Sequence, residues 1–321
     1  MNKASDVLSR AGLPVRDAYD LPTSAKRFGD GGQYRIEIPS TEGPRAMEAV
    51  LQSAAARGVP IHRISQGSGI MLQTDDEIRE MVALGKAHGV EVCLFVGPRA
   101  NWDIGIQAAS SAGRVVGSSL RGADQLAFGI EDVLHGLTLG VNSILVADLG
   151  QLMLLGRMKK AGDLPADFVL KTSVTLAAPN PAAARLLEDL GATSLNLPVD
   201  LTLPQIAAIR HAVDVAIDYY IESPDDFGGG VRYYEIPEMV RVAAPIYLKY
   251  GLRNSPPLYP AGQHLEATVL ALSRERVRRA AIGMSMLRRY APEAVASPVA
   301  VGCQAVNRES RGQAVNRGAR P

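Results

Sequence analysis

Six ionisable side chains stand where none would be expected. Glu37, Arg63, Lys171, Asp218, Glu222 and Lys249 each sit inside a short run that is otherwise apolar or β-branched. In AIDYYIES, Ala216 to Ser223, Asp218, Tyr220 and Glu222 fall on one face of an extended chain. Isolated charge is costly to bury, so this face should look into a polar space. Glu37, Asp148, Lys171 and Glu222 are the candidate catalytic groups. Carboxylates at such positions serve as general acids and bases, and a lysine forms Schiff bases or binds anions. Arg63, Ser65, Ser173, Asn196, Arg232, Lys249 and Arg253 are the candidate substrate-binding groups. Glu37, Asp148 and Glu222, with His264 from YPAGQHLE, offer oxygen and nitrogen donors that suit a divalent metal such as Mg²⁺ or Mn²⁺. A plainer reading stands beside these. Lys171, Lys249 or Arg63 could simply pair Glu37 and Glu222 inside the protein, and His264, near a helix start, could bind backbone. No GxSxG is present, and no base can be assigned to Ser65, Ser173 or Ser223.

What must position these groups is a repeated unit. Eight short runs, YRIEIPS, IHRISQG, EVCLFVG, SILVADLG, DFVLKTSV, TSLNLPVD, VAIDYYIES and PIYLKYG, alternate with stretches of helical spacing such as TDDEIREMVALGKAHG and NPAAARLLEDLGA. Alternation of this kind makes a parallel sheet with right-handed crossovers. Eight units predict an α/β fold closed as a TIM-type β/α barrel, with functional groups at the carboxyl ends of the strands. An open Rossmann-like sheet is the second choice, but no GxGxxG follows the first strand. Gly67-Ser68-Gly69, after the second run, is a weak phosphate-loop signal. The division expected is an N-terminal extension over 1–32, the barrel over 33–292, and a disordered tail over 293–321 that carries QAVNR twice. The loop SPDDFGGGVRYYE, with Gly228, Gly229 and Gly230, has the freedom to close over the mouth as a lid.

The chain has 34 basic and 33 acidic residues, so no basic field favours nucleic acid. Its two cysteines, Cys93 and Cys303, make no CxxC and imply no disulfide framework. The first residues lack the apolar core of a signal peptide, and no apolar run is long enough to span a membrane. A cytoplasmic protein is expected, with a small-molecule substrate, no membrane, and a homo-oligomer as an open alternative.

GVNSILVADLGQLMLLGRMK, the stretch from FVLKTSV to IES at Ser223, and RIEIPSTEGPRAMEAVLQSAAARGV together resemble the collagenase-like peptidase family U-thirty-two, across about Arg35 to Ser223. The resemblance implies a barrel and a peptidase-like hydrolase. In other branches it implies hydroxylation of RNA or quinone precursors with an iron–sulfur cluster. There, an acid after the seventh strand is followed by a glycine and several cysteines. This chain keeps the acid, Glu222, with Asp148 as a weaker match, and then has no cysteine in SPDDFGGGVRYYE. Cys93 and Cys303 cannot replace a four-cysteine site, which argues against an iron–sulfur cluster.

The function expected is therefore a peptidase-family-like enzyme, hydrolase or lyase, acting on a small polar or anionic substrate at the barrel mouth by acid/base or metal-assisted chemistry. The alternatives are a non-catalytic small-ligand binder or partner subunit, and an RNA-modifying protein.

Overall fold

The computed structural model describes residues 3–299, except 104, 112, 114 and 115. Eight parallel strands close in sequence order into a barrel: β1 (Tyr34–Pro39), β2 (Arg63–Gln66), β3 (Glu91–Phe95), β4 (Ser143–Val146), β5 (Val169–Thr172), β6 (Ser194–Asn196), β7 (Ala216–Glu222) and β8 (Ile246–Tyr250). All eight of the runs read from the sequence supply a strand. The crossovers are α2 (Pro44–Arg57), α3 (Asp75–His88), α4 (Gly122–Thr138), α5 (Leu149–Ala161), α6 (Pro181–Asp189), α7 (Leu203–Ala212) and α8 (Ile236–Ala243). A long α9 (Glu266–Tyr290) follows β8, and a short α1 (Lys3–Arg10) precedes the barrel.

Alternation divides each strand between two environments. Ile36, Ile38, Ile64, Leu94, Ile144, Leu170, Leu195, Ile217 and Leu248 face outward and are fully buried under the helices. Their neighbours face the lumen. Thr74 opens α3 with a reciprocal capping box to Glu77, and Gly89 ends it in the left-handed conformation. α9 lies so close to the sheet that a Cβ on Gly283 would fall 2.0 Å from the Tyr250 hydroxyl. Only glycine admits that approach.

The N-terminal extension is bound to the barrel. It hydrogen-bonds Pro204 and then the α8 end, where Ser24 donates to the Ala244 carbonyl at 2.6 Å. It finally tucks Phe28 edge-on against Tyr247 under the barrel. Residues 294–297 close the same floor. Their backbone pairs with Gln33 and Tyr34, and the Ser297 carbonyl meets His62 Nε2 at 2.8 Å. The tail read from the sequence was drawn from 293, so its first residues belong to the barrel floor. From residue 300 on, that expectation lies outside the described residues. Among the described residues no helix is long and apolar enough to cross a membrane.

Candidate functional site

The lumen holds one connected ionic network. Arg63 is its hub, donating to Glu91 at 2.8 Å, to Asp218 at 2.9 Å and to Glu37 at 3.2 Å. Glu37 also accepts from Ser65 at 2.7 Å and from Lys171, and lies 3.5 Å from Lys249 Nζ. Ser143 supports Glu91 at 2.6 Å and Ser194 supports Asp218 at 2.9 Å. Three cations thus face three carboxylates. Each ionised side chain is at most 4% exposed. Charge withdrawn this far from water persists only where partners and extra hydrogen bonds compensate it, and here they do.

The network fixes its own protonation. Burial alone would raise the Glu37 carboxyl, but Lys171, Lys249 and Arg63 outweigh it and hold Glu37 well below the usual carboxylate range. Glu91 is held down in the same way by Arg63 and Ser143. Arg63, whose charge burial opposes, is driven further up by Glu91 and its other acidic neighbours. Cys93, fully buried in the same lumen, has its thiol pushed up to about 12 by burial, so it is an inert core residue.

Lys249 occupies a different position from Lys171. Its ammonium stands 4.1 Å above the Tyr220 ring. The hydrogen-bonding pattern turns the Asn196 amide oxygen toward it at 2.8 Å, and the same oxygen accepts from Val174 N at 3.3 Å. Phe227, from the β7–α8 loop, stacks on Tyr220 with ring centroids 6.3 Å apart. Val174 and Phe227 are walls of a cleft of about 570 Å³ at the mouth, between the loops that follow β5, β6 and β7. Asp200, Thr202, Arg232 and Glu235 supply its polar lining.

The structure thus brings Glu37, Arg63, Ser65, Lys171, Asn196 and Lys249 together, mostly as the plainer ion-pair reading anticipated. Glu222 is not with them. A bulge shifts the register between Tyr220 and Glu222, so that Glu222 pairs with outward-facing Tyr250 rather than with a lumen residue. There it accepts from the Tyr233 hydroxyl at 2.7 Å and from Arg253 N at 3.0 Å, with Arg279 at 3.5 Å. Asp148 is the N-cap of α5, bound to Gln151 N at 2.9 Å and Leu120 N at 3.1 Å, and its carboxylate is spent on those amides. Ser173 bonds Thr175 at 2.9 Å. Arg232 lines the cleft but is engaged by Glu235, Tyr219 and the Leu201 carbonyl. Arg253 is exposed and paired with Asp225 at 3.1 Å. His264 is exposed at the start of α9. The metal set Glu37, Asp148, Glu222 and His264 is therefore dispersed. Among the described residues, no three His, Cys, Asp or Glu side chains converge as a metal site would need.

Sequence reasoning passed over Glu91, which opens an apolar run and was taken with it. Its signal is the alternation itself, because Glu91 lies two residues before lumen-facing Cys93. Glu42, Arg99, Tyr259 and Arg276, around the mouth, were also missed, since loop and helix positions carry no comparable period.

Fold and lumen define the class: a closed β/α barrel with an ion-paired interior and a cleft at the carboxyl ends of its strands. Within it, residues 123–223 match peptidase family U32, which places α4 to β7 of this chain in that family's pattern. No curated protein matches the chain. Among solved structures it is similar to the U32 peptidase Mk0906, at 17% identity over 74% of this chain and 99% of that one, with a TM-score of 0.41. It is similar also to the putative copper homeostasis protein CutC from Streptococcus agalactiae, at 12% identity over 67% and 98% of the two chains, TM-score 0.42. A putative lyase/mutase from Burkholderia cenocepacia J2315 aligns at 13% identity over 85% and 87%, TM-score 0.42. Likenesses this distant say nothing of what the chain acts on.

Proposed function

We propose that this barrel is an enzyme that takes a small polar substrate into the cleft bounded by the loops after β5, β6 and β7 and works on it with Lys249. The observation that carries the reading is the placing of Lys249. Of the three lumen cations it stands furthest from its carboxylate, 3.5 Å from Glu37, while Arg63 and Lys171 are held tightly. Two contacts, Asn196 to Val174 and Tyr220 to Phe227, connect it to the cleft wall. Movement of Phe227 with its glycine-rich loop would open the way from cleft to ammonium. An ammonium there binds a carbonyl or carboxylate oxygen of the substrate and steadies negative charge as it develops. The match to a peptidase family makes hydrolysis of a peptide or small amide the first reaction class to try, and lyase chemistry on a carbonyl compound the second.

A second reading has its own support. Glu37 is already claimed by Ser65, Lys171 and Arg63 and is held as a carboxylate, which leaves it no role as a proton carrier. A lumen acid committed in this way suits a small-ligand binder or a partner subunit.

Turnover by wild type and Lys249→Met, on a panel of peptides, amides and small carbonyl compounds, separates the two. The enzyme reading expects a fall of at least about 100-fold in kcat/KM with an unchanged circular dichroism spectrum. Turnover that Lys249→Met leaves intact would remove this site from the reaction. Saturable binding by a wild type that turns over nothing would establish the binder.

A further inference from the structure

The other side of the mouth carries charge that the lumen does not balance. Arg99, just beyond β3, is 5% exposed, and its guanidinium lies between two aromatic faces, 3.6 Å from the Phe95 ring centroid and 3.7 Å from that of Trp102. It donates to the Gly67 carbonyl at 2.9 Å and the Ser68 carbonyl at 3.2 Å. Arg276, on the inner face of α9, is 3% exposed and donates to the Ser40 carbonyl at 3.2 Å. The Nε–H of each is buried without a hydrogen-bond partner among the described residues, and neither forms an ion pair there.

One tyrosine links the two arginines. The Tyr259 hydroxyl is hydrogen-bonded to Ser40 Oγ, next to the carbonyl that Arg276 holds. Its ring lies against the Gly67 backbone, where a Cβ would meet ring carbon Cε1 at 2.3 Å. Gly67 carries the carbonyl that Arg99 holds. Two carboxylates act on these arginines from a distance, Asp132 on Arg99 and Glu42 on both, and each is already taken. Asp132 accepts from Gly97 N at 3.0 Å, and Glu42 is bound by the turn after β2. It accepts from Gly67 N at 2.7 Å, Ser68 N at 3.1 Å and Ser68 Oγ at 2.6 Å. The Gly-Ser-Gly turn, which in sequence resembles a phosphate loop, thus spends two of its amides on an internal acid. Two buried guanidiniums thus contact no carboxylate among the described residues, and the two acids nearby are committed elsewhere. Burial of cations without contacting counter-ions is costly, and binding an anion relieves it.

We propose that this side of the mouth, between Arg99 and Arg276 and roofed by Tyr259, binds the anionic group of the substrate, a carboxylate or a phosphate monoester. The inference deepens the proposed function and rests on it for the identity of the ligand as substrate. Tyr220 joins the two halves. It lies under Lys249, and Arg276 acts electrostatically on its hydroxyl. An anion held at Arg276 therefore places the rest of a small substrate over Lys249. Guanidinium groups suit this task because their planar fork meets two oxygens at once.

The test uses the full chain with inorganic phosphate and succinate as separate probes, at ionic strength held constant with sodium chloride. Binding is read by calorimetric titration and by the shift in Tm. One of the two probes should stabilise the protein saturably, and which one does so distinguishes phosphate from carboxylate recognition. Arg276→Met should weaken that binding at least tenfold, while Arg79→Gln on the exposed face of α3 should not change it. If Arg276→Met does not fold, Arg99→Lys replaces it; it keeps the charge, loses the fork and should bind several-fold more weakly. Failure of both probes to stabilise at up to about 50 mM overturns the proposal. So does wild-type affinity in the folded arginine variant. Turnover that depends on Lys249 without probe binding removes the anion site and leaves the enzyme reading. Probe binding with turnover indifferent to Lys249→Met does the reverse.

Discussion

The lumen and the mouth use the same residue types to opposite ends. In the lumen, Arg63 binds Glu37, Glu91 and Asp218, Lys171 binds Glu37, and hydroxyls of Ser65, Ser143 and Ser194 add further hydrogen bonds, while Lys249 stands back at 3.5 Å from Glu37. At the mouth, Arg99 and Arg276 are buried to a similar degree, yet carbonyls and aromatic faces hold them rather than carboxylates. Lys249 apart, the first arrangement is closed electrically and serves as a filled core. The second leaves the Nε–H groups of Arg99 and Arg276 without acceptors among the described residues, which is the basis for proposing an anion there. Polarity inside a barrel is thus a poor guide to its site. The useful distinction is whether the charges are already answered.

The most severe way to break this contrast is to remove the hub. Arg63→Met leaves Glu37, Glu91 and Asp218 buried with a single close cation among them, and should cost about 3–5 kcal/mol or abolish folding. Denaturant unfolding with an unchanged m-value would measure it, and a loss under about 1 kcal/mol would show that the lumen is wetter or more adaptable than its burial implies.

A smaller effect comes from acid. His62, at the floor, accepts from Ile36 N at 3.0 Å, and burial pushes its ring down to about 4 from 6.5. A group depressed in the folded state contributes stability above its unfolded pKa and loses it as pH falls toward the folded one. His62 should therefore remove up to about 3 kcal/mol between about pH 6.5 and pH 4. Glu37 and Glu91, also depressed, act below about 4.5. Glu42 and Asp132, which burial raises, the latter to about 6, work in the opposite sense. The decisive comparison is the slope of stability against pH in His62→Gln, which should be flatter than wild type between pH 6.5 and 4. An unchanged slope would assign the acid response elsewhere.

The smallest effect sharpens the boundary of the site. Asp148→Ala should cost about 1 kcal/mol through the lost α5 cap and leave ligand binding and any turnover unchanged. A selective loss of turnover would return Asp148 to the chemistry.

How far these features could be read in advance follows from their physics. Strand period two made Glu37, Arg63, Lys171, Asp218 and Lys249 conspicuous, because each breaks an apolar run at a lumen position. The eight-unit rhythm gave the barrel. What the period cannot carry is an interruption of itself. One extra residue at Ile221 turned Glu222 from lumen to helix side, and nothing in AIDYYIES announces that bulge. Pairing was equally hidden, because which carboxylate meets which cation depends on the stagger of eight strands. Asp148 stands at a strand end, where catalytic acids and helix caps share the same sequence position. Arg99 and Arg276 come from a loop and from the long final helix, where only three-dimensional proximity makes them neighbours.

The floor has a practical meaning for handling the molecule. Residues 294–297 are stitched under the barrel, beside Gln33, Tyr34 and His62. A fluorophore or other probe carried on an exposed side chain next to Ser297 would therefore sit at the pole opposite the cleft, and would leave the mouth open to the ligand.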